Sequence, residues 1–340
     1  MTEMRMIDAI RAALDEALAA DPAVCLLGED ITLGGPFGAT KGLVDTYGED
    51  RVRNTPISEA TIMGLAIGAA MAGRRPVLEI MFIDFMTLAM DQLVNHAAKL
   101  RYMTGGQYSI PLTVRVQGGA AGGMGAHHSQ SLEAWFTHIP GLTVVAPSNA
   151  ADAKGLLTAA IRSDDPVIFL EHRGLYWAKG DVPDGDHVVP IGSARIARPG
   201  RDVTIVSWSR MVTTALEAAG RLATDGIEAE VIDARSLLPL DLDAIVGSVE
   251  RTGRLVVASE AVTTGGLGGE IAASVGPAAA GSLRAPIERV GAPFVPVPAG
   301  PDLEAMFIPS ADDIVAAVRR ATGATAPAVA ASTASTTTAS

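Results

Sequence analysis

Five short runs of aliphatic and β-branched residues punctuate the first half of the chain: VCLLG at 24–28, PVLEIMF at 76–82, LTVRVQ at 112–117, LTVVA at 142–146 and PVIFLE at 166–171. Between them lie longer stretches with helical spacing of apolar positions, among them Met86–Tyr102 and Asn149–Arg162. Alternation of this kind predicts a parallel sheet with helices on both faces. The pattern resumes with DVTIVSW at 202–208, a helix over Met211–Asp225, AEVIDA at 229–234, a helix over Leu242–Thr252, RLVVASE at 254–260 and a helix over Ala311–Ala321. The stretch between the halves, Trp177–Gly200, is rich in Gly, Pro and Asp. The expectation is an α/β chain of two domains, each a mainly parallel sheet flanked by helices: residues 1–182, a linker at 183–200, and residues 201–322. From Thr322 onward, TGATAPAVAASTASTTTAS cannot bury enough surface to offset its ordering entropy, so 323–340 is expected to be a disordered tail.

Composition agrees with this plan and narrows the function. Hydrophobic residues make up 48% of the 340 positions but aromatics only 4%, so the cores are built from Ala, Val, Ile, Leu and Met at close backbone approach. A net charge of -12 argues against nucleic-acid partners and anionic membrane surfaces, which favour clustered Lys and Arg. Cys25 is the single cysteine; it excludes an intrachain disulfide and fits a reducing cytoplasm. The first twenty residues carry Glu3, Asp8, Asp15 and Glu16, unlike a secretory or transit peptide. The longest apolar run, within 60–73, is shorter than the roughly 20 residues that span a bilayer.

That run contains the first candidate chemistry. In NTPISEATIMGLAIGAAMAG, residues 54–73, Glu59 is the one charge before Arg74. Ser58 is placed to cap the helix and Glu59 falls in its first turn, where the helix dipole favours a carboxylate. An apolar helix implies a buried first turn, which disfavours the ionised form, so a surface acid and a functional one are both open readings. Gly64, Gly68 and Ala72 form a small-residue stripe suited to close packing in a core or against another subunit. Further on, GGAAGGMGAHHSQS at 118–131 joins glycines to His127 and His128, just before a helix start read at Ser129–Ser131. Adjacent histidines lack metal-ligand spacing, so acid-base chemistry is the better reading.

Beyond these stretches, GEDI (28–31), TKGLVDTYGEDRVRNTPISE (40–59), MFIDF (81–85), DQLVNHAAKLRYMTGG (91–106), AHHSQS (126–131), HIPGLTVVAPSNAADAKGLL (138–157) and DPVIFLEHRGLY (165–176) appear in order. Together they resemble the β subunit of the thiamine-diphosphate-dependent dehydrogenase component of 2-oxo acid dehydrogenase complexes. The likeness continues through SRMVTTALEAA and RAPIERVGAPFVPVPAGPDLE and leaves only the tail outside. It implies that Glu59 hydrogen-bonds the aminopyrimidine ring of the cofactor, with Phe85 packed on the ring and Glu29 and Tyr102 close to the cofactor pocket. It assigns His128 to acyl transfer onto a lipoyl group, with His127 departing from the glutamine usual at that place. A monovalent-cation site, potassium in the family, would fall near Ile161, Ser163 and Asp165, where the family more often has acid and amide side chains.

The Gly-Asp-Gly segment with a later Asn, which commonly holds magnesium and the diphosphate, is missing. PDGDH at 183–187 has the letters in the wrong order, and TTGGLGGEIAASV at 263–275 lacks the acid. The resemblance therefore implies an α subunit that supplies magnesium and half of the thiamine diphosphate site in an α2β2 assembly. A lipoyl acyltransferase would be the further partner, and a 2-oxo acid or acetoin the substrate. Two other readings stand beside it: a noncatalytic scaffold that docks the acyltransferase, and a nicotinamide-dependent oxidoreductase using the glycine run at 263–275.

Overall fold

The computed structural model describes residues 1–324; the expected tail lies outside them except for Gly323 and Ala324. In the first half, six parallel strands align in the order Thr143–Val145, Val167–His172, Thr113–Gly118, Arg75–Ile80, Val24–Gly28 and Val52–Asn54. The central strands are buried along their whole length, which is why they read as unbroken apolar runs. Thr2–Arg5 pairs antiparallel with Lys179–Val182, tying the beginning of this unit to its end.

The second sheet runs Glu288–Ala292, Leu255–Val262, Val203–Ser207, Ala229–Asp233 and Arg195–Arg198. Its strands are parallel except Arg195–Arg198, which pairs antiparallel with Ala229–Asp233. Residues 195–198, expected in the linker, are therefore an edge strand of the second sheet. The two units also share a sheet. Ser236–Leu238, from the second half, pairs antiparallel with Thr143–Val145 and extends the first sheet to seven strands. One apolar cluster accordingly runs from Ile62, Leu78 and Val114 through Val144 to Ile232, Ile245 and Ile271.

Two helical expectations change in detail. Met86–Tyr102 is not one regular helix: α-helix Met86–Asp91 passes into a π-helical segment, Gln92–Ala97, and then α-helix Ala98–Met103. The helix read at Ser129–Ser131 begins only at Glu133 and ends at Thr137.

Candidate active site

In open parallel sheets, ligands bind beyond the carboxyl ends of the strands where the strand order changes direction. Here Val24–Gly28 is flanked by Val52–Asn54 on one side and Arg75–Ile80 on the other, so the switch lies between 24–28 and 75–80. Glu29 follows the first of these strands. The turn Phe82–Phe85 follows the second, and the helix Glu59–Met71 follows Val52–Asn54. Thr113–Gly118, next in the sheet, opens directly into the glycine loop that carries His128. Topology thus delivers Glu29, Glu59, Phe85 and His128 to the carboxyl end of the sheet.

Glu59 is 8% exposed in the first turn of its helix. Ser58 does not cap it as expected: its Oγ donates to Thr61 Oγ1 at 2.8 Å instead of accepting a backbone N–H. The Glu29 carboxyl is also buried, and desolvation together with the nearby charges of Glu59 and Asp30 raises its pKa. Two buried acids thus face one region at the strand ends. The rest of the helix answers which way the small-residue stripe points. Ile62, Met63, Ala66, Ile67 and Ala70 are buried, whereas Gly64, Leu65, Gly68, Met71 and Ala72 are exposed on this chain. A methyl group added at Gly68 would meet nothing.

An aromatic cluster surrounds His128. Phe82 lies edge-on to its imidazole with centroids 4.8 Å apart, and Phe85 does the same at 5.5 Å. Phe82 and Phe85 also meet edge to face, and the rings of His127 and His128 are 5.0 Å apart. Edge-to-face contacts of this length fix ring orientation as well as burying area. Phe85 is half-buried and packs on the apolar cluster containing Met86. Nothing in the sequence singled out Phe82, although an aromatic three residues before Phe85 across a turn could have drawn notice.

The glycines of the loop act chiefly through backbone geometry. Gly119, Gly122, Gly123 and Gly125 all have positive φ, near +70° to +80°, where other residues are strained. Gly119 also has no room: a Cβ there would strike the His172 ring. The loop is tied down along its length. Ala120 N–H donates to Glu260 Oε1 at 2.5 Å, Gly123 N–H to Glu304 Oε2 at 2.9 Å, and Gln130 Nε2 to Asp84 Oδ1 at 2.8 Å. His172 Nδ1 accepts from Gly174 N–H, which leaves Nε2–H to donate to Glu260 Oε2 at 2.9 Å. Burial pushes the Glu260 carboxyl up, but His172, the Ala120 amide and Arg210 outweigh it and hold the pKa below the usual value.

Not every expected residue joins this cluster. Tyr102 is 89% exposed and lines a separate groove with Arg101, Gly105, Gly141 and Asp165. At the end of helix Ala150–Arg162, Arg75 Nε donates to Ile161 O at 3.0 Å and Nη2 to Ser163 O at 2.7 Å. Asp165 pairs with Arg101 at 2.7 Å, and Ser163 Oγ donates to Asp165 O. Guanidinium groups already supply positive charge at this helix end, so the residues present do not fit a further cation. Among the described residues there is no group of three or more His, Cys, Asp or Glu suited to a metal, and no helix is long and apolar enough to cross a membrane. The glycine run at 263–275 opens helix Leu267–Ala278 with Glu270 in its first turn, an unfavourable neighbour for a phosphate.

Comparison with known proteins identifies the family and the fold. Residues 2–178 match the model for the transketolase pyrimidine binding domain, and residues 192–314 that for the transketolase C-terminal domain. The β subunit of acetoin:2,6-dichlorophenolindophenol oxidoreductase from Cupriavidus necator is 50% identical, over 92% of this chain and 95% of that protein. The mitochondrial pyruvate dehydrogenase E1 component subunit beta-2 of Oryza sativa is 47% identical, over 94% of this chain and 86% of its own length. A split-gene transketolase, solved as an inactive β4 tetramer, superimposes with a TM-score of 0.76 at 26% identity over 94% of this chain and 98% of that one. The two-domain parallel α/β expectation is met, and the chain belongs to the transketolase-like family of β subunits of thiamine-diphosphate-dependent 2-oxo acid and acetoin dehydrogenases.

Proposed function

We propose that this chain provides the pyrimidine half of a thiamine diphosphate site and joins an α subunit, as α2β2, to cleave a 2-oxo acid or acetoin and pass the acyl group to a lipoyl acyltransferase. The observation that carries the reading is the convergence of buried Glu29 and Glu59 with Phe85 and His128 beyond the strand ends at the switch point. Dry carboxyls and an aromatic cluster at the same end of the sheet suit an aminopyrimidine, which offers a ring nitrogen to share a proton and a flat face to pack on. When bound, thiamine diphosphate supplies the nucleophilic carbon that attacks the substrate carbonyl.

In this reading Glu59 shares a proton with the pyrimidine ring nitrogen, and the buried residues of its helix keep water from competing. Phe85 packs on the ring, Glu29 adds a second acid, and His128 manages the proton during acyl transfer. The cofactor's diphosphate and magnesium fall to the α subunit, because the sequence lacks the Gly-Asp-Gly and Asn pair that would hold them. Tyr102 belongs to the same site only if assembly brings its groove to a cofactor. Potassium is left out of the proposal, since the Ile161 and Ser163 carbonyls already face Arg75. The outward stripe Gly64, Gly68 and Ala72 is the surface we assign to subunit packing. A cytoplasmic setting fits the lone, buried Cys25.

The test is Glu59→Gln in the enzyme assembled with its α subunit, thiamine diphosphate and magnesium, assayed on pyruvate, branched 2-oxo acids and acetoin. Loss of a proton-handling group predicts a fall in kcat of about 10²–10⁴-fold with assembly intact. Full activity in this variant would refute the pyrimidine assignment and favour a scaffold role.

A further inference from the structure

The glycine loop has one more tether, and it reaches the histidine itself. Arg173 follows the end of strand Val167–His172 and is 6% exposed. Its Nε donates to Ala121 O at 2.8 Å, Nη1 to His128 O at 2.7 Å and Nη2 to Ser129 Oγ at 2.9 Å. The guanidinium also lies over the Phe82 ring, 5.9 Å from its centroid, and that ring is edge-on to the His128 imidazole. Arg173 therefore holds His128 from two directions: directly at the backbone carbonyl, and through Phe82 at the side chain.

Chemistry makes this arrangement unusual for a purely structural contact. All three acceptors are neutral, so a buried cation is held by two carbonyls and a hydroxyl. Glu304, Glu260 and Asp84 stand further off and contribute charge only at a distance. Desolvating a guanidinium without a contacting carboxylate is costly, and apolar packing alone could fill the volume. What an apolar side chain could not do is grip both limbs of a loop at once. A planar fork with donors in fixed directions can reach residues 121, 128 and 129 together, and a lysine ammonium cannot.

We propose that Arg173 is a positioning residue, a latch that sets the His128 loop for acyl transfer to the lipoyl group. Its link to acyl transfer rests on the function proposed above; the latch itself rests on the loop contacts alone. Acyl transfer brings a second, large substrate to the site after the first bond is cleaved, so the histidine must hold one position while the acceptor changes.

The experiment compares wild type, Arg173→Met and Arg173→Lys in the enzyme assembled with its α subunit. Hydrogen–deuterium exchange over residues 119–131 should rise about tenfold in Arg173→Met and less in Arg173→Lys, because local opening becomes easier. The kcat for acylation of a lipoyl domain should fall roughly tenfold while KM for that domain moves less than about threefold, as expected when geometry rather than binding is lost. Unchanged exchange over 119–131 overturns the latch, and loosened exchange with unchanged kcat overturns its part in acyl transfer. If Arg173→Met does not assemble, Ser129→Ala removes one contact while keeping the cation, and exchange equal to wild type there overturns the latch as well. His128→Ala separates the two ideas. Unaltered acylation in that variant removes the role assigned to His128, while the exchange result still judges Arg173.

Discussion

Arg115 offers a demanding test of the energetics beneath the site. It is 3% exposed at the centre of the first sheet, with Nε and Nη2 donating to the two oxygens of Glu171 at 2.7 and 3.0 Å and Nη1 to Glu79 Oε2 at 2.5 Å. Tyr176 adds its hydroxyl to Glu171 Oε2 at 2.6 Å. Arg115→Met removes three charge-assisted hydrogen bonds and strands two buried carboxylates in a low-dielectric interior. Removing one partner of a buried pair costs about 3–5 kcal/mol, a large share of the roughly 5–15 kcal/mol that holds a typical protein together. At about 2–4 °C per kcal/mol for a unit of this size, the melting temperature should fall by some 6–20 °C.

The pH dependence has a definite sign. Burial raises the Glu79 pKa even with Arg115 in place, and losing the guanidinium raises it further. A carboxyl with a raised folded pKa contributes stability below its unfolded value, and that contribution is lost as pH rises through the folded value. The deficit of Arg115→Met should therefore be larger at pH 8 than at pH 5.5, measured by calorimetry or circular dichroism. Glu79→Gln and Glu171→Gln added to Arg115→Met should recover much of the loss, because no buried charge then remains. A melting temperature within about 2 °C of wild type, or a deficit that grows on acidification, would refute the reasoning.

Other outcomes follow from the same contacts. Glu59→Gln removes one of the charges that raise Glu29, so the Glu29 carboxyl should titrate lower in that variant by carbon NMR; an unmoved titration would separate the two acids. Burial and the hydrogen bond to Asp15 push the Tyr47 phenol up to about 12. Its stabilising share is present below the unfolded tyrosine pKa and lost as pH rises through about 12, and Asp15→Asn should bring phenolate absorbance at 295 nm to lower pH. Gly119→Ala combines positive φ with a collision at His172, so it should cost about 1–3 kcal/mol or more and disturb the His172–Glu260 bond, seen as a lower melting temperature.

The strands were the most legible part of the fold. VCLLG, LTVRVQ and PVIFLE are buried on both faces, so their composition states their place without help from distant residues. Arg195–Arg198 and Ser236–Leu238 were not legible as strands, because each is a short edge strand defined by its partner. The π-helical turn at Gln92–Ala97 was hidden for another reason: it shares its apolar residues with an ordinary helix and differs only in hydrogen bonding. In the site, Glu59 stood out as a lone charge in an apolar run. Phe82 and Arg173 did not, since their importance is a matter of distance to His128 and not of sequence spacing. The expected cap by Ser58 failed because its hydroxyl found Thr61 instead.

The sheet shared by the two halves has a consequence during synthesis. Until Ser236–Leu238 has been made, Thr143–Val145 is the outer strand of the first sheet, with its unpaired backbone edge available to other chains. At roughly 5–20 residues per second that interval lasts on the order of 5–20 s. A ribosome-bound or truncated chain ending before residue 236 is thus a sticky intermediate, and chaperone demand should be concentrated in that window rather than spread over the whole of translation.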